Sequence, residues 1–540
     1  IRDRARNVIK LIWKGPYLST ITDTAGREIA CRYTREGKLE RLLLVDGKDE
    51  HLLVRYAYGA DGQLAQVTDP LGHSMRYAYA GSVLVREVRK GGLTFHFERD
   101  WEDREGWCPR TWGDAGGSDG SCLDLAPGGQ APRAIYDRRL TYDKHRRRTM
   151  VHDGRGGITY YEGNALDLVE KEIDATGRTT QYTWNEHAWK TADENAAGQR
   201  YEWSYDARGN RTRETDPLGH VTSWTYDDLD RLRSVTTPRG GIFELDYDRA
   251  SRPSIVRRPD GTANLYVHDE LGRLLQADDP MGRRTRFRWS VTHALAEATD
   301  AEGRTTTFTY DVFGRLASAK DPLGRTLQVT RDAAGQPTFV KRPDGEELSL
   351  AYDPEGNVIE QTDSRGRRTR MRYAGMGQLV VHVDPMGHRV RLRYDEELDL
   401  VAVENQAGDL YTFKLDRCGR VTHEKTFSGT KRMLTYDKAG RAMQVLSGAY
   451  RLTKIERDPL GRIVKQTSQG GNPNVLAKPT EETFAYDEIG ALVAAATPGA
   501  DVRFERDALG RILREHESLR ATSASASIQS RYDAAGLRVE

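Results

Sequence analysis

The sequence is poor in the features that mark disulfide-rich, metal-binding or membrane-spanning proteins. Only 4 of its 540 residues are cysteines, and none forms a C-x-x-C pair or a Cys/His group with zinc spacing, so neither a disulfide framework nor a structural metal is predicted. No run of about 18 apolar residues occurs, which excludes a membrane-spanning helix. The 82 Lys+Arg balance 81 Asp+Glu, and a formal net charge of +1 gives no electrostatic reason to expect nucleic acid or an anionic membrane as a partner.

Motifs of the common enzyme classes are also missing. The sequence contains no G-x-S-x-G elbow, Walker loop, H-E-x-x-H motif or dinucleotide-binding fingerprint, so we assign no catalytic residue and no cofactor and do not expect an enzyme. The chain starts at Ile1 without an initiator methionine or the apolar region of a signal peptide. We therefore expect it to be part of a longer protein.

What the sequence does have is a 21-residue period. Stepping by 21 from residue 156, every position is glycine: Gly156, Gly177, Gly198, Gly219, Gly240, Gly261, Gly282, Gly303, Gly324, Gly345, Gly366, Gly387, Gly408 and Gly429. A second series with the same period runs from Asp143 to Asp458 and is mostly aspartate, including Asp206, Asp227, Asp311, Asp353, Asp437 and Asp458. A fixed period of this length indicates a repeat architecture and overrides the domain count expected from chain length.

Each repeat contains two turn signals. One reads Asp-Pro-x-Gly, as in Asp321-Pro322-Leu323-Gly324, and the other reads aromatic-Asp-x-x-Gly, as in Tyr310-Asp311-Val312-Phe313-Gly314. Proline presets φ, aspartate bonds the backbone ahead of it, and glycine accepts a positive φ, so both motifs predict chain reversals. The aspartates are thus interpreted as turn caps rather than calcium ligands, because the calcium-binding nonapeptide spacing is absent.

About six residues remain between turns, which is the length of a strand and too short for a stable helix. Large apolar residues alternate with polar ones in these connectors, as at Phe308 and Tyr310 or at Trp224 and Tyr226. This alternation is typical of antiparallel strands with one apolar and one wetted face. Each repeat is therefore predicted to be one β-hairpin, and the fold class all-β.

The repeated text resembles the Rhs, or Tyr-Asp (YD), repeat family, which includes the Tc-toxin B/C cocoon and the teneurin YD barrel. The motif is seen nearly whole from Asp300 to Leu316, with Asp300-Ala301 in place of Asp-Pro and Phe308 in place of the first tyrosine. The resemblance covers about residues 22 to 540. The segment Trp107-Cys108-Pro109-Arg110-Thr111-Trp112-Gly113-Asp114 is similar to an insertion of bacterial Rhs chains, which favours a bacterial source.

The number of repeats sets the expected architecture. About 24 repeats give roughly 48 strands and a ribbon on the order of 230 Å long, whereas open twisted sheets rarely exceed about 10–15 strands. One turn of such a ribbon encloses a diameter of roughly 75 Å and two turns about 37 Å, more than side chains can fill. We predict a spiral array of antiparallel hairpins forming a hollow, cocoon-like shell, with the aromatic strand face turned inward. A β-propeller with two repeats per blade is the weaker alternative, because odd and even repeats do not differ.

Five segments are expected along the chain. Residues 1–21 form a lead-in, 22–100 the N-terminal repeats, 101–133 a glycine-rich insertion loop, 134–465 the regular array and 466–540 irregular C-terminal repeats. Cys108 and Cys122 bound the insertion and either form a disulfide or remain free thiols. The basic run Lys144 to Arg148 is interpreted as a solvated strand face rather than an anion site.

The resemblance implies a function in which the shell encloses and delivers a toxic C-terminal domain in interbacterial competition. It implies secretion or delivery to a target cell by a type VI or related system. The toxin domain is the expected partner, with a secretion-spike protein, a chaperone and an immunity protein engaged through regions outside this sequence. Asp458-Pro459-Leu460-Gly461 is followed by Arg462 instead of the leucine of the family's self-cleavage motif, so the core protease and toxin are expected to lie elsewhere. The alternative is a cell-surface or secreted carbohydrate-binding protein that uses its rows of tyrosines.

Overall fold

The computed structural model describes residues 1–3, 7–100, 107–114, 134–448, 450–472 and 475–540. These residues form strands and turns, with no helix among them. The strands are β1 Lys10–Lys14, β2 Tyr17–Thr22, β3 Glu28–Tyr33, β4 Leu39–Asp46, β5 Asp49–Tyr58, β6 Leu64–Thr68, β7 Ser74–Ala80, β8 Val83–Val88, β9 Thr94–Glu98, β10 Arg110–Asp114, β11 Ala134–Asp143, β12 Arg148–His152, β13 Ile158–Gly163, β14 Val169–Ile173, β15 Thr179–Trp184, β16 Lys190–Glu194, β17 Arg200–Tyr205, β18 Arg211–Thr215, β19 Val221–Tyr226, β20 Leu232–Thr236, β21 Ile242–Tyr247, β22 Pro253–Arg257, β23 Ala263–His268, β24 Leu274–Asp278, β25 Arg284–Trp289, β26 Leu295–Thr299, β27 Thr305–Tyr310, β28 Leu316–Lys320, β29 Thr326–Arg331, β30 Pro337–Lys341, β31 Glu347–Tyr352, β32 Val358–Asp363, β33 Arg368–Tyr373, β34 Leu379–Val383, β35 Arg389–Tyr394, β36 Leu400–Glu404, β37 Leu410–Leu415, β38 Val421–Lys425, β39 Lys431–Tyr436, β40 Ala442–Ser447, β41 Arg451–Arg457, β42 Ile463–Gln469, β43 Gly471–Asn472, β44 Val475–Leu476, β45 Thr480–Tyr486, β46 Leu492–Ala496, β47 Ala500–Arg506, β48 Ile512–Leu519 and β49 Ala524–Gln529.

Nearly all of these strands belong to one sheet. Its 47 strands pair antiparallel with their neighbours in sequence, and β42 pairs with β45 across the small hairpin of β43 and β44. A register shift recurs where the aromatic strand reaches its turn, as between Thr309 and Tyr310 opposite β28. The chain is therefore a continuous ribbon of hairpins, as the alternation of apolar and polar residues predicts.

The ribbon winds so that its later half contacts its earlier half. The loop between β8 and β9 contacts the loop between β31 and β32, where the Gly91 N–H donates to Glu355. The loop between β12 and β13 contacts the loop between β35 and β36, where Arg155 donates to Asp395. Both contacts join loops twenty-three strands apart. At about 4.8 Å per strand, such a winding has a circumference of about 110 Å and a diameter of about 35 Å. The structure thus has the two-turn form of the expected spiral.

The accessible surface shows that this winding is not a packed core. The chain exposes 31589 Å², whereas a compact protein of its mass exposes about 20,000 Å². Among the described residues no large side chain is fully buried. A sheet that is accessible on both of its faces has these properties, and the fold is an all-β spiral shell.

The two faces of the ribbon differ in exposure. In β27, Phe308 and Tyr310 are half-buried while Thr307 and Thr309 on the opposite face are exposed. This pattern recurs in most strands that lead into a Tyr-Asp turn, so the aromatic rings form the more sheltered face. In the part of the chain that the structure describes, no helix is long and apolar enough to cross a bilayer.

Two smaller sequence interpretations have different outcomes. Residues 144–147 form a turn and only Arg148 begins a strand, so the prediction of a strand face there is wrong. The cause is that the chain reverses between β11 and β12 within residues 144–147, where Arg147 adopts φ of 49°. Cys122 and the glycines Gly116, Gly117, Gly120, Gly128 and Gly129 lie outside the described residues, so the pairing of Cys108 with Cys122 stays a prediction.

Candidate functional site

The Tyr-Asp turn is a compact hydrogen-bonded unit that repeats along one rim of the ribbon. In the turn of Asp311, the Asp311 N–H donates to the Arg315 carbonyl at 2.9 Å, and the Gly314 N–H donates to the Asp311 carbonyl at 2.9 Å. Asp311 Oδ1 accepts from the N–H groups of Phe313 and Arg315, and Asp311 Oδ2 accepts from Arg315 Nε at 2.7 Å. The carboxylate therefore satisfies backbone donors that the reversal would otherwise leave unpaired.

The residues that the sequence assigns to turns take up these positions in the structure. The six aspartates of the second series each accept, at Oδ1, the N–H of the residue four positions later: Asp206, Asp227, Asp311, Asp353, Asp437 and Asp458. The fourteen glycines from Gly156 to Gly429 have φ between 75° and 88°. In this left-handed region a side chain with Cβ is strained, which accounts for the unbroken glycine series.

The tyrosine before each turn links neighbouring hairpins. Tyr352 Oη donates to the Pro337 carbonyl at 2.6 Å, and Tyr394 Oη donates to the Leu379 carbonyl at 2.9 Å. Where tryptophan replaces tyrosine, the indole N–H of Trp289 makes the same bond to the Leu274 carbonyl at 2.8 Å. The acceptor lies 15 residues earlier in each case. The aromatic residue thus supplies both a half-buried ring and a donor that fixes the spacing of hairpins.

The arginine of one turn contacts the aromatic ring of the next. Arg231 pairs with Asp227 in its own turn and lies 4.6 Å from the ring centre of Tyr247. Hydrogen bonding from Arg231 lowers the pKa of Asp227 to about 2, with burial acting in the opposite direction. Burial raises the pKa of Tyr247. Aspartate, arginine and an aromatic ring therefore form a linked unit that recurs at several turns of the rim.

The rim of the earlier winding and the rim of the later winding meet in a seam of charged contacts. Arg138 donates two hydrogen bonds to Glu397, at 2.6 and 2.5 Å, and Glu397 Oε1 also accepts the Gly154 N–H at 2.7 Å. The Glu397 side chain is only 6% exposed. The hydrogen bond to Glu397 raises the pKa of Arg138, against the effect of burial. A charge so enclosed is stable only while its partner is in place.

Further ion pairs continue the seam on both sides of Glu397. Arg155 donates to Asp395 at 2.6 Å and also contacts Asp399; burial acts to lower its pKa, but these two carboxylates raise it. Arg239 pairs with Asp487, whose side chain is 5% exposed. In these contacts the earlier winding supplies a turn of the glycine series, and the later winding supplies a Tyr-Asp turn. The seam therefore closes the wall of the shell with the same two turn types that build each repeat.

An apolar cluster lies beside these ion pairs. It consists of Leu93, Ile135, Ala374, Val380 and Leu398, all less than a tenth exposed. A cavity of about 460 Å³ adjoins it, lined by residues of both windings. Leu93 belongs to the earlier winding and Leu398 to the later one, so this cluster fastens the seam by burial of apolar surface as well as by charge.

The described residues contain no group of three or more His, Cys, Asp or Glu side chains placed to hold a metal ion. Cys108, at the edge of the insertion, is half-buried and its Sγ donates to the Arg110 carbonyl at 3.3 Å. The described residues form the wall of a shell. This wall is a ribbon with a sheltered aromatic face, and its two windings are joined along the seam.

Sequence reasoning did not identify the seam residues. Arg138 lies in strand β11, Glu397 in a Tyr-Asp turn and Arg239 in a turn of the glycine series. Their partners are 259 residues away for Arg138 and 248 for Arg239. Such pairs depend on how many strands make one winding, which no local pattern encodes.

Comparison with a family model supports the repeat assignment. The RHS Repeat model matches residues 191–222, 205–242, 226–263, 268–305, 289–326, 310–347 and 352–389. These matches lie in the region where the glycine series is unbroken and the second series is mostly aspartate. No curated protein matches the sequence.

Solved structures of toxin complexes have a similar fold. The Photorhabdus luminescens Tc holotoxin pore with a mutated TccC3 aligns with a TM-score of 0.60 at 11% identity, covering 98% of this chain and 37% of that one. The TcdB2-TccC3-TEV crystal structure aligns with a TM-score of 0.55 at 12% identity, covering 96% of this chain and 40% of that one. The chain therefore spans about two-fifths of the length of these matched structures.

Proposed function

We propose that the shell of this chain encloses a polypeptide cargo and delivers it in interbacterial competition. The premise is that the chain is an Rhs/YD-repeat protein related to the Tc-toxin cocoon. The cargo we propose is a toxin domain carried C-terminal to the repeats. The observation that carries this proposal is the seam, because ion pairs and apolar contacts between windings turn an open ribbon into a closed wall. A binding module that only displayed its strands would not need them.

The matched structures support the choice of cargo. Both are complexes of toxin components, and one is a holotoxin pore. The interior of a winding about 35 Å wide leaves room for a polypeptide, since two opposed sheet faces in contact lie only about 10 Å apart. We propose secretion by a type VI or related system as the route, with a spike protein, chaperone and immunity protein bound by other parts of the full protein.

The aromatic face is proposed to line this chamber. Its rings are half-buried along the ribbon, as Phe308 and Tyr310 are in β27. The hydroxyls of Tyr352 and Tyr394 already donate to backbone carbonyls, so a guest would meet mainly ring faces and edges. Such a lining can hold an incompletely folded chain without specific recognition. The opposite, polar face would then meet solvent.

Protection of a tethered cargo tests the proposal. A protease-sensitive reporter polypeptide is fused after Glu540, and its cleavage rate is compared in the wild-type shell, in Glu397→Gln, and in the control Arg288→Gln, which removes an exposed pair away from the seam. We expect cleavage in the wild type and the control to be slower than that of the free reporter by about tenfold or more, and Glu397→Gln to restore part of that rate, because proteolysis tracks the open population. Equal cleavage of fused and free reporter would refute enclosure.

The same wild-type protein can be used to test the carbohydrate-binding alternative. Saturable binding of a glycan by the wild-type chain, lost when ring-face residues such as Trp289 are replaced, would favour a surface-binding role over enclosure. We expect no such binding, because the Trp289 indole N–H is already bonded to the Leu274 carbonyl.

A further inference from the structure

Two neighbouring aromatic strands carry arginine at every second position of their polar face. These are Arg368, Arg370 and Arg372 in β33, and Arg389, Arg391 and Arg393 in β35. Strand β34 lies between them and presents Val381 and Val383 to the same face: Val383 is paired with Arg370 and Arg389, and Val381 is paired with Arg372 and Arg391. The result is a furrow with a valine floor and two arginine walls, which we call the arginine furrow.

The charge of the arginine furrow is not balanced locally. Glu360 contacts Arg370 at 2.9 Å and Arg368 at 3.9 Å from one side, and Glu404 contacts Arg393 at 2.5 Å and Arg391 at 3.2 Å from the other. Six arginines thus face two glutamates. Within the described part of the chain, Arg372 and Arg389 have no carboxylate partner.

Strand β25 shows how the same arginine pattern is neutralised elsewhere. There Arg284 pairs with Asp278 of β24 at 2.9 Å, and Arg288 pairs with Glu297 of β26. Both neighbouring strands supply a carboxylate. In the furrow the shared neighbour β34 supplies valines instead, so the unbalanced charge is a local property of these strands and not of the repeat.

We propose that the arginine furrow binds an extended acidic segment of a partner polypeptide. A cavity of about 320 Å³ lies between the walls, lined by Arg370, Met371, Arg372, Val381, Val383, Arg389 and Arg391. The walls are two strand spacings apart, about 9.6 Å, and arginines along each wall recur every two residues, about 6.8 Å. In an extended peptide lying on the valines, successive side chains point to alternate walls. Side chains that point to the same wall are also about 6.8 Å apart. Carboxylates at those positions would meet guanidinium groups on both sides.

The two-walled geometry favours a peptide over other polyanions. A single nucleic acid strand presents one row of phosphates, whereas the furrow has two rows of cations. The valine floor offers no hydrogen-bond partner to bases or sugar hydroxyls but accepts the methylene groups of glutamate. The Arg368 and Arg370 side chains are 58% and 60% exposed, so the furrow is open to solvent along the β33 wall, whereas Arg391 in the β35 wall is 37% exposed and Arg393 is 15% exposed. The inference goes beyond the proposed enclosure and uses the face opposite the aromatic lining.

Binding of a fluorescein-labelled hexaglutamate peptide to the intact chain tests the inference by anisotropy. We expect saturable binding that weakens as NaCl rises from about 50 mM to about 300 mM, because the contacts are between exposed charges. The double variant Arg372→Gln/Arg389→Gln should weaken binding by about tenfold, since it removes the two unpaired guanidinium groups. Arg288→Gln is the matched control and should bind as the wild type does.

A second variant guards against an effect of misfolding. Val381→Glu places a carboxylate on the valine floor, keeps every arginine, and should also weaken binding. Absence of saturable binding, or unchanged binding in both furrow variants, would overturn the inference. Tighter binding of an oligothymidylate or a heparin oligosaccharide of equal charge would overturn the assignment to a peptide.

Discussion

Replacing Glu397 by glutamine tests the seam at its most enclosed charge. The substitution keeps the shape of the side chain but removes the charge that Arg138 contacts twice and that the Gly154 N–H also contacts. Removing one partner of a fully buried ion pair lowers the free energy of unfolding by about 3–5 kcal/mol. Because the Arg138 side chain is 31% exposed, water compensates part of this loss, and we expect a decrease of about 2 kcal/mol in the free energy of unfolding.

Urea unfolding followed by circular dichroism measures this decrease. The control is Glu297→Gln, which removes the half-buried partner of the exposed Arg288 within one winding and should leave the midpoint unchanged. A double-mutant cycle with Arg138→Gln should give a coupling energy of about 1–2 kcal/mol between the two positions. Equal midpoints for the two glutamine variants together with zero coupling would show that Arg138 and Glu397 do not meet, and the two-winding arrangement would lose its best-supported contact.

The seam also offers a covalent readout. Cys418 Sγ lies 3.9 Å from Thr176 Oγ1, although the two residues are 242 positions apart. In Thr176→Cys, mild oxidation should therefore link residues 176 and 418, which peptide mass spectrometry detects. In Thr191→Cys, a position in β16, the same treatment should give no link to Cys418. A link at neither position in the folded protein would contradict the contact between windings.

Three further predictions concern the repeat itself. The pKa of Asp227 is lowered to about 2 in the folded chain, so its stabilising bonds are complete above the ordinary aspartate pKa near 3.8 and are lost as pH falls toward 2. The urea midpoint should therefore drop between pH 4 and 2. A midpoint that does not change with pH in this range would refute the role of these turns. Gly324→Val should lower the free energy of unfolding by about 1–3 kcal/mol, because φ is 83° there. Gly499→Val, at a position with open space and no positive φ, should be nearly neutral. Equal effects of the two variants on the melting temperature would contradict the turn assignment. Tyr352→Phe should cost about 1 kcal/mol by removing the bond to the Pro337 carbonyl, and an unchanged urea midpoint would show that this bond contributes nothing.

Much of the fold could be predicted from the sequence because its determinants are local. The glycine at residue 324 and the aspartate at residue 311 each fix a reversal within five residues, and the alternation at Phe308 and Tyr310 fixes which face is sheltered. Repetition then specifies a ribbon. Its length alone allowed one turn or two, and the structure selects two.

The seam could not be predicted, because it depends on accumulated twist. A small change in the angle between strands would bring Glu397 opposite another loop, and nothing near residue 397 encodes its meeting with Arg138. The arginine furrow is different. Its signal, arginine at every second position in residues 368–372 and again in 389–393, is visible in the sequence but is informative only once β34 is known to lie between them.

A density map of the isolated chain at side-chain resolution, obtained by electron cryomicroscopy, tests the central claim most directly. We predict two stacked windings of about twenty-three strands each, joined where Arg138 meets Glu397, around an interior that side chains from opposite walls do not bridge. A map in which opposite walls of the ribbon interdigitate into one solid core, or in which the ribbon stays open with Arg138 of β11 and the Glu397 turn apart, would contradict it.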